Sequence, residues 1–194
     1  MLGVILCGGQ STRMGTDKGL IKSIKKTWAE SASDKLKKLS LPVVLSVNSK
    51  QISVYRNIFL PTQLIQDNDS LKFRGPLCGV LSVHLHYPNE DLLILGCDMP
   101  LITIQILKEL MLKYKQHAGS TAFVYTNDDE PEPLCAIYKA EGLSHIVHLY
   151  QTYQLIKHSM KFMLDHLQVC AIPIPDKKKK YFQNINAHAE LNGL

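Results

Sequence analysis

Short blocks of β-branched and aliphatic residues recur along the first half of the chain, at Leu2 to Leu6, Val43 to Val47 and Leu92 to Leu95. Each stops where Gly, Asn or Asp begins. Continuous apolar runs of this length predict strands buried on both faces, with functional loops at their carboxyl ends. Helical stretches lie between them. Thr27 to Lys38 opens with Thr27 and Glu30 at capping-box spacing, Leu77 to Leu85 follows Gly75-Pro76, and Thr103 to His117 follows Pro100. Strand then helix, repeated, predicts an α/β fold with parallel strands joined by right-handed crossovers, whose ligands gather outside the carboxyl ends of the strands. Gly8 to Lys18, Asn48 and Asp98 then share one rim.

After His117 the pattern loosens. Thr121 to Tyr125 and Leu134 to Tyr138 read as strands flanking the acidic turn Asn127-Asp128-Asp129-Glu130-Pro131, a hairpin-like pair. A chain of 194 residues, 45% hydrophobic, is long enough for one globular domain with its own core and short for two equal ones, so a single domain over 1–194 is expected.

Charge adds a preference for ligands. The 22 Lys and Arg against 17 Asp and Glu leave a net charge of +5, which favours an anionic small molecule and is modest for a nucleic-acid binder. The densest basic run, Lys177 to Lys180, follows Pro173, Pro175 and Asp176 and has no interleaved aromatics, so it reads as a solvated loop. Cys7, Cys78, Cys97, Cys135 and Cys170 lie far apart, mostly among apolar neighbours, as buried thiols of a reducing cytosol do. His84, His86, His145 and His148 read as structural histidines, with no third ligand near either pair. No segment has the roughly 20 apolar residues needed to span a bilayer, and the first apolar run is too short for a signal peptide, so a soluble cytoplasmic protein is expected.

The chemistry concentrates after the first strand, in Cys7-Gly8-Gly9-Gln10-Ser11-Thr12-Arg13-Met14-Gly15-Thr16-Asp17-Lys18. Glycines let the backbone approach a phosphate and turn its N–H groups inward, while Arg13 and Lys18 supply charge-assisted contacts to phosphate oxygens. The spacing is neither that of the P-loop nor that of the dinucleotide fingerprint. It reads as a phosphate cradle of another kind.

The string Leu-x-Gly-Gly-x-Ser-x-Arg-Met-Gly-x-Asp-Lys resembles the signature of the molybdenum cofactor guanylyltransferases, the MobA family. The resemblance continues through Ser46-Val47-Asn48, Ile65-Gln66-Asp67, Gly75-Pro76-Leu77-x-Gly79, Gly96-Cys97-Asp98-x-Pro100, Glu132-Pro133-Leu134-x-Ala136-x-Tyr138 and Asn184-Ile185-Asn186, nearly the whole chain. It implies a Rossmann-like three-layer α/β/α nucleotidyltransferase fold with a mostly parallel mixed sheet, a nucleotide-binding half at about 1–100 and an acceptor-binding half at about 101–194.

What the resemblance implies for residues is specific. GTP would be bound by Leu6, Cys7, Gly8, Gly9, Ser11, Arg13, Gly15, Lys18, Asn48, Asp67, Gly79 and Asp98. Arg13, Lys18 and Asp98 would carry the chemistry, with Asp98 as the ligand of Mg²⁺. Asp98 suits the part, because a strongly apolar strand delivers a hard oxygen donor to the rim. Asp67 can accept from N1–H and N2–H₂ of guanine, a donor face that cytosine lacks. Alone, Asn48 and Asp67 read as turn formers at strand ends. Lys161, Asn184 and Asn186 would face the acceptor, molybdopterin; the family often carries Arg near Lys161, and Lys cannot fork a phosphate as Arg does. Asn186 is equally suited to capping a helix over Ala187 to Leu191. The family commonly has a glycine turn where this chain has Lys22-Ser23-Ile24-Lys25-Lys26, which leaves the turn geometry there open.

The implied reaction is attack of the molybdopterin terminal phosphate on the α-phosphorus of GTP, giving the guanine dinucleotide cofactor and pyrophosphate. The implied protein partners act in molybdopterin synthesis or molybdoenzyme maturation; neither nucleic acid nor membrane is expected. Residues alone leave open a CTP-dependent molybdopterin cytidylyltransferase, a sugar-phosphate nucleotidylyltransferase and a non-catalytic nucleotide-binding accessory protein. Gly8-Gly9 in place of Ala-Gly, with Asp17 before Lys18, favours the guanylyl branch, and Lys18 together with Asp98 favours turnover.

Overall fold

The computed structural model describes residues 1–8, 17–23 and 25–183. In chain order the elements are β1 (Leu2–Leu6), a small hairpin of β2 (Lys22–Ser23) and β3 (Lys26–Thr27), α1 (Trp28–Lys37), β4 (Val43–Val47), α2 (Ile52–Tyr55), β5 (Leu64–Gln66), α3 (Pro76–His86) and β6 (Leu92–Gly96). They continue with α4 (Ile104–Gln116), β7 (Ala122–Asn127), β8 (Glu130–Tyr138), α5 (Ala140–Gln151), α6 (Met160–Leu164), β9 (Val169–Pro173) and α7 (Asp176–Lys179).

Among the described residues, seven strands form one sheet in the order β5-β4-β1-β6-β8-β7-β9. β1 pairs in parallel with β4 and β6, β4 with β5 and β7 with β9, while β8 runs antiparallel to both its neighbours. The expected mixed, mostly parallel sheet is therefore present, and it takes strands from both halves of the chain. Side chains alternate across it. Ile5, Leu45, Leu95 and Phe123 pack with Ala29 and Leu36 of α1 and Ile106, Leu107 and Leu110 of α4. Val4, Val44, Ile94 and Val124 pack on the other face with α3, α5 and α6 through Leu77, Leu81, Ile146 and Met163. Each large aliphatic side chain buried this way contributes about 1.5–3 kcal/mol. The three-layer α/β/α arrangement follows, because a parallel sheet is apolar on both faces and needs a helical layer on each.

The helix starts lie where the sequence puts them. Thr27 caps α1 in a reciprocal capping box: the Glu30 N–H donates to Thr27 Oγ1 at 3.2 Å, and the Thr27 N–H donates to Glu30 Oε2 at 2.8 Å. Thr103 caps α4, leaving Asp98 out of that role. At the start of α3 Gly75 has φ 96°, a left-handed conformation open to glycine, and Pro76 supplies the first helical residue without needing a donor. The acidic turn is a tight hairpin in which Asp128 and Asp129 both have positive φ, 49° and 67°. Its register slips between Val124 and Tyr125, which pair with Ala136 and Glu132, so the segment from Pro133 to Cys135 bulges out of the β7–β8 ladder.

Two local features go beyond what the sequence specified. Lys22–Ser23 and Lys26–Thr27 pair antiparallel as the β2–β3 hairpin, in the stretch whose turn the sequence left open. The run Lys177 to Lys180, expected as a solvated loop, winds into α7 and a following 3-10 turn. Lys178 meets Glu109 of α4 at 2.5 Å, and Lys179 meets Asp128 of the hairpin turn at 2.6 Å and Asp176 at 3.2 Å. Carboxylates remote in sequence neutralise a run that looks unpaired locally.

The thiols are free, and Cys7, Cys78, Cys97 and Cys135 are buried. The Cys97 thiol is pushed well above its usual value by its hydrogen bond with Cys7 and by burial, and Cys135 is pushed up to about 12 by burial. His84 is buried with Nε2 3.1 Å from Ser144 Oγ, a structural histidine as expected. No described helix is long and apolar enough to cross a membrane.

One long-range contact joins α1 to the carboxyl rim. Lys35 donates from Nζ to the Pro100 carbonyl at 2.6 Å, bracing the turn that follows Asp98, and burial lowers its pKa to about 8. An unfolded lysine holds its proton up to the ordinary 10.5, whereas folded Lys35 gives it up near 8. Stability should therefore rise with pH across that window relative to Lys35→Met, which has no proton to lose. The melting temperatures of wild type and Lys35→Met, compared at about pH 7 and about pH 10, should diverge in favour of wild type at the higher pH. A pH-independent difference would show that Lys35 is solvated like any surface lysine.

Candidate functional site

The ladder of the central strands continues past their formal ends. Cys7 N–H donates to the Ser46 carbonyl at 3.0 Å, Cys97 N–H to Leu6 at 3.2 Å and Asp67 N–H to Val47 at 2.9 Å. Parallel pairing thus brings the ends of β1, β4, β5 and β6, far apart in sequence, to one edge. Leu6, Cys7, Gly8, Asn48, Asp67 and Asp98 all stand there.

Across this rim Lys18 and Asp98 meet. Lys18 Nζ donates to Asp98 Oδ2 at 3.1 Å, with the side chains 19% and 21% exposed. The pair is half-sheltered from water and reachable from it, as suits groups that receive a polyanionic ligand. Behind it Gly96 leaves little room: a β-carbon there would lie 2.8 Å from Asp98 Oδ1, so only glycine lets the carboxylate occupy its place.

A second carboxylate sits at the end of β5. Asp67 lines a polar cleft of about 250 Å³ together with Asn48, Asp69, Phe73, Arg74 and Cys78. Burial raises its pKa, opposed by the hydrogen bond from Ser46 Oγ to Oδ1 at 3.1 Å and by the charge of Arg74. Close packing builds this arrangement. A β-carbon on Gly79 of α3 would come within 2.5 Å of Ser46 Oγ, so Gly79 lets the helix settle against the hydroxyl that holds Asp67. Gly79, included with the GTP-binding positions, thereby acts on this cleft through Ser46. A β-carbon on Gly8 would lie 3.3 Å from Asp67 Oδ2, which sets the start of the glycine-rich loop directly against that carboxylate.

Asn48 turns the chain after β4, its Oδ1 accepting from the N–H groups of Lys50 at 2.9 Å and Gln51 at 3.2 Å. It is the turn former that its residue type suggests, and it also lines the polar cleft.

Towards the second half lies an apolar cleft of about 360 Å³ between Pro76, Leu77, Pro133, Leu134, Met160 and Lys161. The bulge in β8 pushes Pro133 and Leu134 into its wall. The Lys161 ammonium pairs with Glu130 on the cleft's exposed edge, and the nearby Glu132 carboxyl is raised by burial, against the pull of Lys161. Phe73, which lines the polar cleft, stacks on His158, which lines the apolar one, with ring centroids 4.4 Å apart and planes 9° from parallel. The two clefts therefore share a wall.

Lys18, Asp98, Asn48, Asp67 and the loop start come together at the rim, and Lys161 stands apart, beside the apolar cleft. Gly9, Ser11, Arg13, Gly15, Asn184 and Asn186 lie outside the described residues. Ser46 and Gly96 stood in the motifs without a job of their own. Gln51 and Tyr55 are functional neighbours of the rim that the sequence does not mark, because a polar residue in a turn and a tyrosine in a short helix carry no local signal of what they reach.

Residues 3–169 match the MobA-like NTP transferase domain. The chain is 31% identical over 190 residues to a probable molybdenum cofactor guanylyltransferase of Flavobacterium johnsoniae, covering 98% of this chain and 94% of that protein. It is 32% identical over 193 residues to a molybdenum cofactor guanylyltransferase of Acinetobacter baumannii, covering 97% and 88%. Its fold is similar to that of molybdopterin-guanine dinucleotide biosynthesis protein A from Archaeoglobus fulgidus, with a TM-score of 0.78 at 22% identity over 100% of this chain and 96% of that one. It is also similar in fold to CMP:2-keto-3-deoxy-manno-octonic acid synthetase complexed with CTP, with a TM-score of 0.67 at 10% identity, covering 99% and 95%. A match over most of the chain, together with full-length relatives above 30% identity, makes this chain a member of the MobA-like NTP transferase family.

Proposed function

We propose that the protein is a molybdenum cofactor guanylyltransferase, which transfers GMP from GTP to the terminal phosphate of molybdopterin. The observation that carries the reading is the meeting of Lys18 and Asp98, 3.1 Å apart, on the same rim as the partly buried carboxylate of Asp67. A cation and an anion at a triphosphate's reach, beside a base-sized polar cleft, are what a nucleotidyltransferase needs. The relatives named for guanylyl transfer support the choice of base.

In this reading Lys18 and Arg13 neutralise phosphate charge, and Asp98 would hold Mg²⁺. One partly exposed carboxylate at the strand ends fits that ion, which takes one or two protein carboxylates and fills its other positions with phosphate oxygens and water. The ion would supply further charge neutralisation at the phosphates. Asp67 accepts from guanine N1–H and N2–H₂, and Asn48 closes the cleft beside it. The acceptor lies along the apolar cleft, whose Pro, Leu and Met walls suit a flat heterocycle, with Lys161 at its edge. An acceptor phosphate oxygen forms a bond to the α-phosphorus as the bond to the β-phosphate bridging oxygen breaks and pyrophosphate leaves. The attacking oxygen is already ionised near neutral pH, so positioning and charge neutralisation are the protein's contribution. The setting is the cytoplasm, and proteins of molybdopterin synthesis or molybdoenzyme maturation would deliver the acceptor or take the product.

Pyrophosphate release measured with molybdopterin, Mg²⁺ and each of the four nucleoside triphosphates tests the reading. Turnover with GTP is expected. Turnover with CTP alone would replace it with cytidylyl transfer, and binding without release would make the protein an accessory factor. Asp98→Ala should lower kcat by about 100-fold or more while the melting transition persists. Wild-type turnover in that variant would remove Asp98 from the chemistry. Asp67→Asn should weaken GTP binding by about 10- to 100-fold, with little effect on the other nucleotides. Because burial raises the Asp67 pKa, wild-type GTP affinity should fall on acidification earlier than an ordinary carboxylate would dictate, and the Asn variant should lack that limb.

A further inference from the structure

Three segments of the candidate site, the end of β1, the exit of the glycine-rich loop and the turn after β4, have no covalent reason to keep fixed relative positions. One carboxamide connects them. Gln51 is 9% exposed; its Nε2 donates to the Cys7 carbonyl at 2.9 Å and to Asp17 Oδ2 at 2.6 Å, and its Oε1 accepts from the Asn48 N–H at 3.0 Å. Only this orientation of the amide satisfies its neighbours, since a carbonyl and a carboxylate can only accept and a backbone N–H can only donate. Tyr55, fully buried, adds a donor from Oη to Asp17 Oδ1 at 3.0 Å, and the Gly19 N–H reaches the same oxygen at 3.0 Å. Burial raises the Tyr55 pKa far above its ordinary value, so the phenol remains a donor at any physiological pH.

Asp17 thus accepts three hydrogen bonds and points into the protein, while its neighbour Lys18 reaches the other way, to Asp98. The absence of a side chain at residue 19 is part of the same fit, because a β-carbon there would overlap the Tyr55 hydroxyl.

We propose that Gln51, assisted by Tyr55, is a positioning residue for nucleotide binding: it pins both ends of the glycine-rich loop, Cys7 at entry and Asp17 at exit, to the Asn48 turn. Cys7 and Asp17 then keep fixed places beside the Asn48 turn, and with Asp17 held, Lys18 is presented towards Asp98 and a phosphate without a further ordering cost. The role rests on the reading of this rim as a triphosphate site, and one arm of its test does not depend on that reading.

Gln51→Glu sets a carboxylate against Asp17. At about pH 7.5 its Kd for GTP with Mg²⁺, measured by calorimetry on the full chain, should rise about tenfold, and KM should rise more than kcat falls. The loss should shrink towards about pH 5, as the introduced carboxyl takes up a proton and becomes a donor again. Tyr55→Phe, a milder change, should shift Kd in the same direction by less. Without any ligand, the Gly19 amide should exchange with solvent faster in both variants, while amides of the central strands keep their protection. A merely structural role would lower the melting temperature and the active fraction and leave Kd, its pH dependence and the local Gly19 exchange unchanged, and that result would overturn the proposal. If wild type binds none of the four nucleoside triphosphates, the functional reading fails; Gly19 exchange then decides the clamp alone, local acceleration upholding it and unchanged exchange overturning it.

Discussion

Parallel pairing of β1 between β4 and β6 is the constraint from which the site follows. The three strands are apolar on both faces and can be stable only between two helical layers, so their polar extensions have one place to go. Residues separated by tens of positions, Gly8, Asn48, Asp67 and Asp98, emerge at the same edge because the register aligns Leu6 with both Ser46 and Gly96. A slip of one residue in either pairing would turn these side chains to the opposite face and dissolve the constellation.

Behind the rim, packing and polar satisfaction set the geometry. Gly79 and Gly96 are sites of close approach, one to the hydroxyl that holds Asp67 and the other to Asp98 itself. Lys35 braces the turn after Asp98 from the layer below, and Gln51 and Tyr55 brace the loop's ends from the side. None of these groups needs to touch a ligand to matter, since a carboxylate displaced by an ångström no longer meets its partner at hydrogen-bond distance. The second half of the chain is built from the same sheet by a different device. The β8 strand reverses direction, and its bulge opens the apolar cleft that shares the Phe73–His158 wall with the polar one.

Much of this was legible in the amino-acid sequence. The blocks Leu2–Leu6, Val43–Val47 and Leu92–Gly96 are strands buried at every position, as a parallel sheet covered on both faces requires. Thr27 and Glu30 announce the first turn of α1 through purely local hydrogen bonds, and the glycine-rich string suggests a phosphate ligand by its composition alone. The acidic turn, too, is local: two residues with positive φ closing a hairpin. Beyond the hairpin, α5, α6 and β9 were less legible, since their boundaries depend on packing against α3 and β7 more than on strong periodicity.

Sequence alone therefore determined the fold class and the strand ends that form the rim, because strand burial and helix capping rest on residues close together in the chain. Tertiary structure decided which groups act together: Lys18 with Asp98, Ser46 and Gly79 with Asp67, Gln51 with Cys7 and Asp17, and Lys178 and Lys179 with Glu109 and Asp128. The physical reason is that a hydrogen bond or ion pair depends on distance through space, and pairs up to 80 positions apart leave no mark on their local sequence.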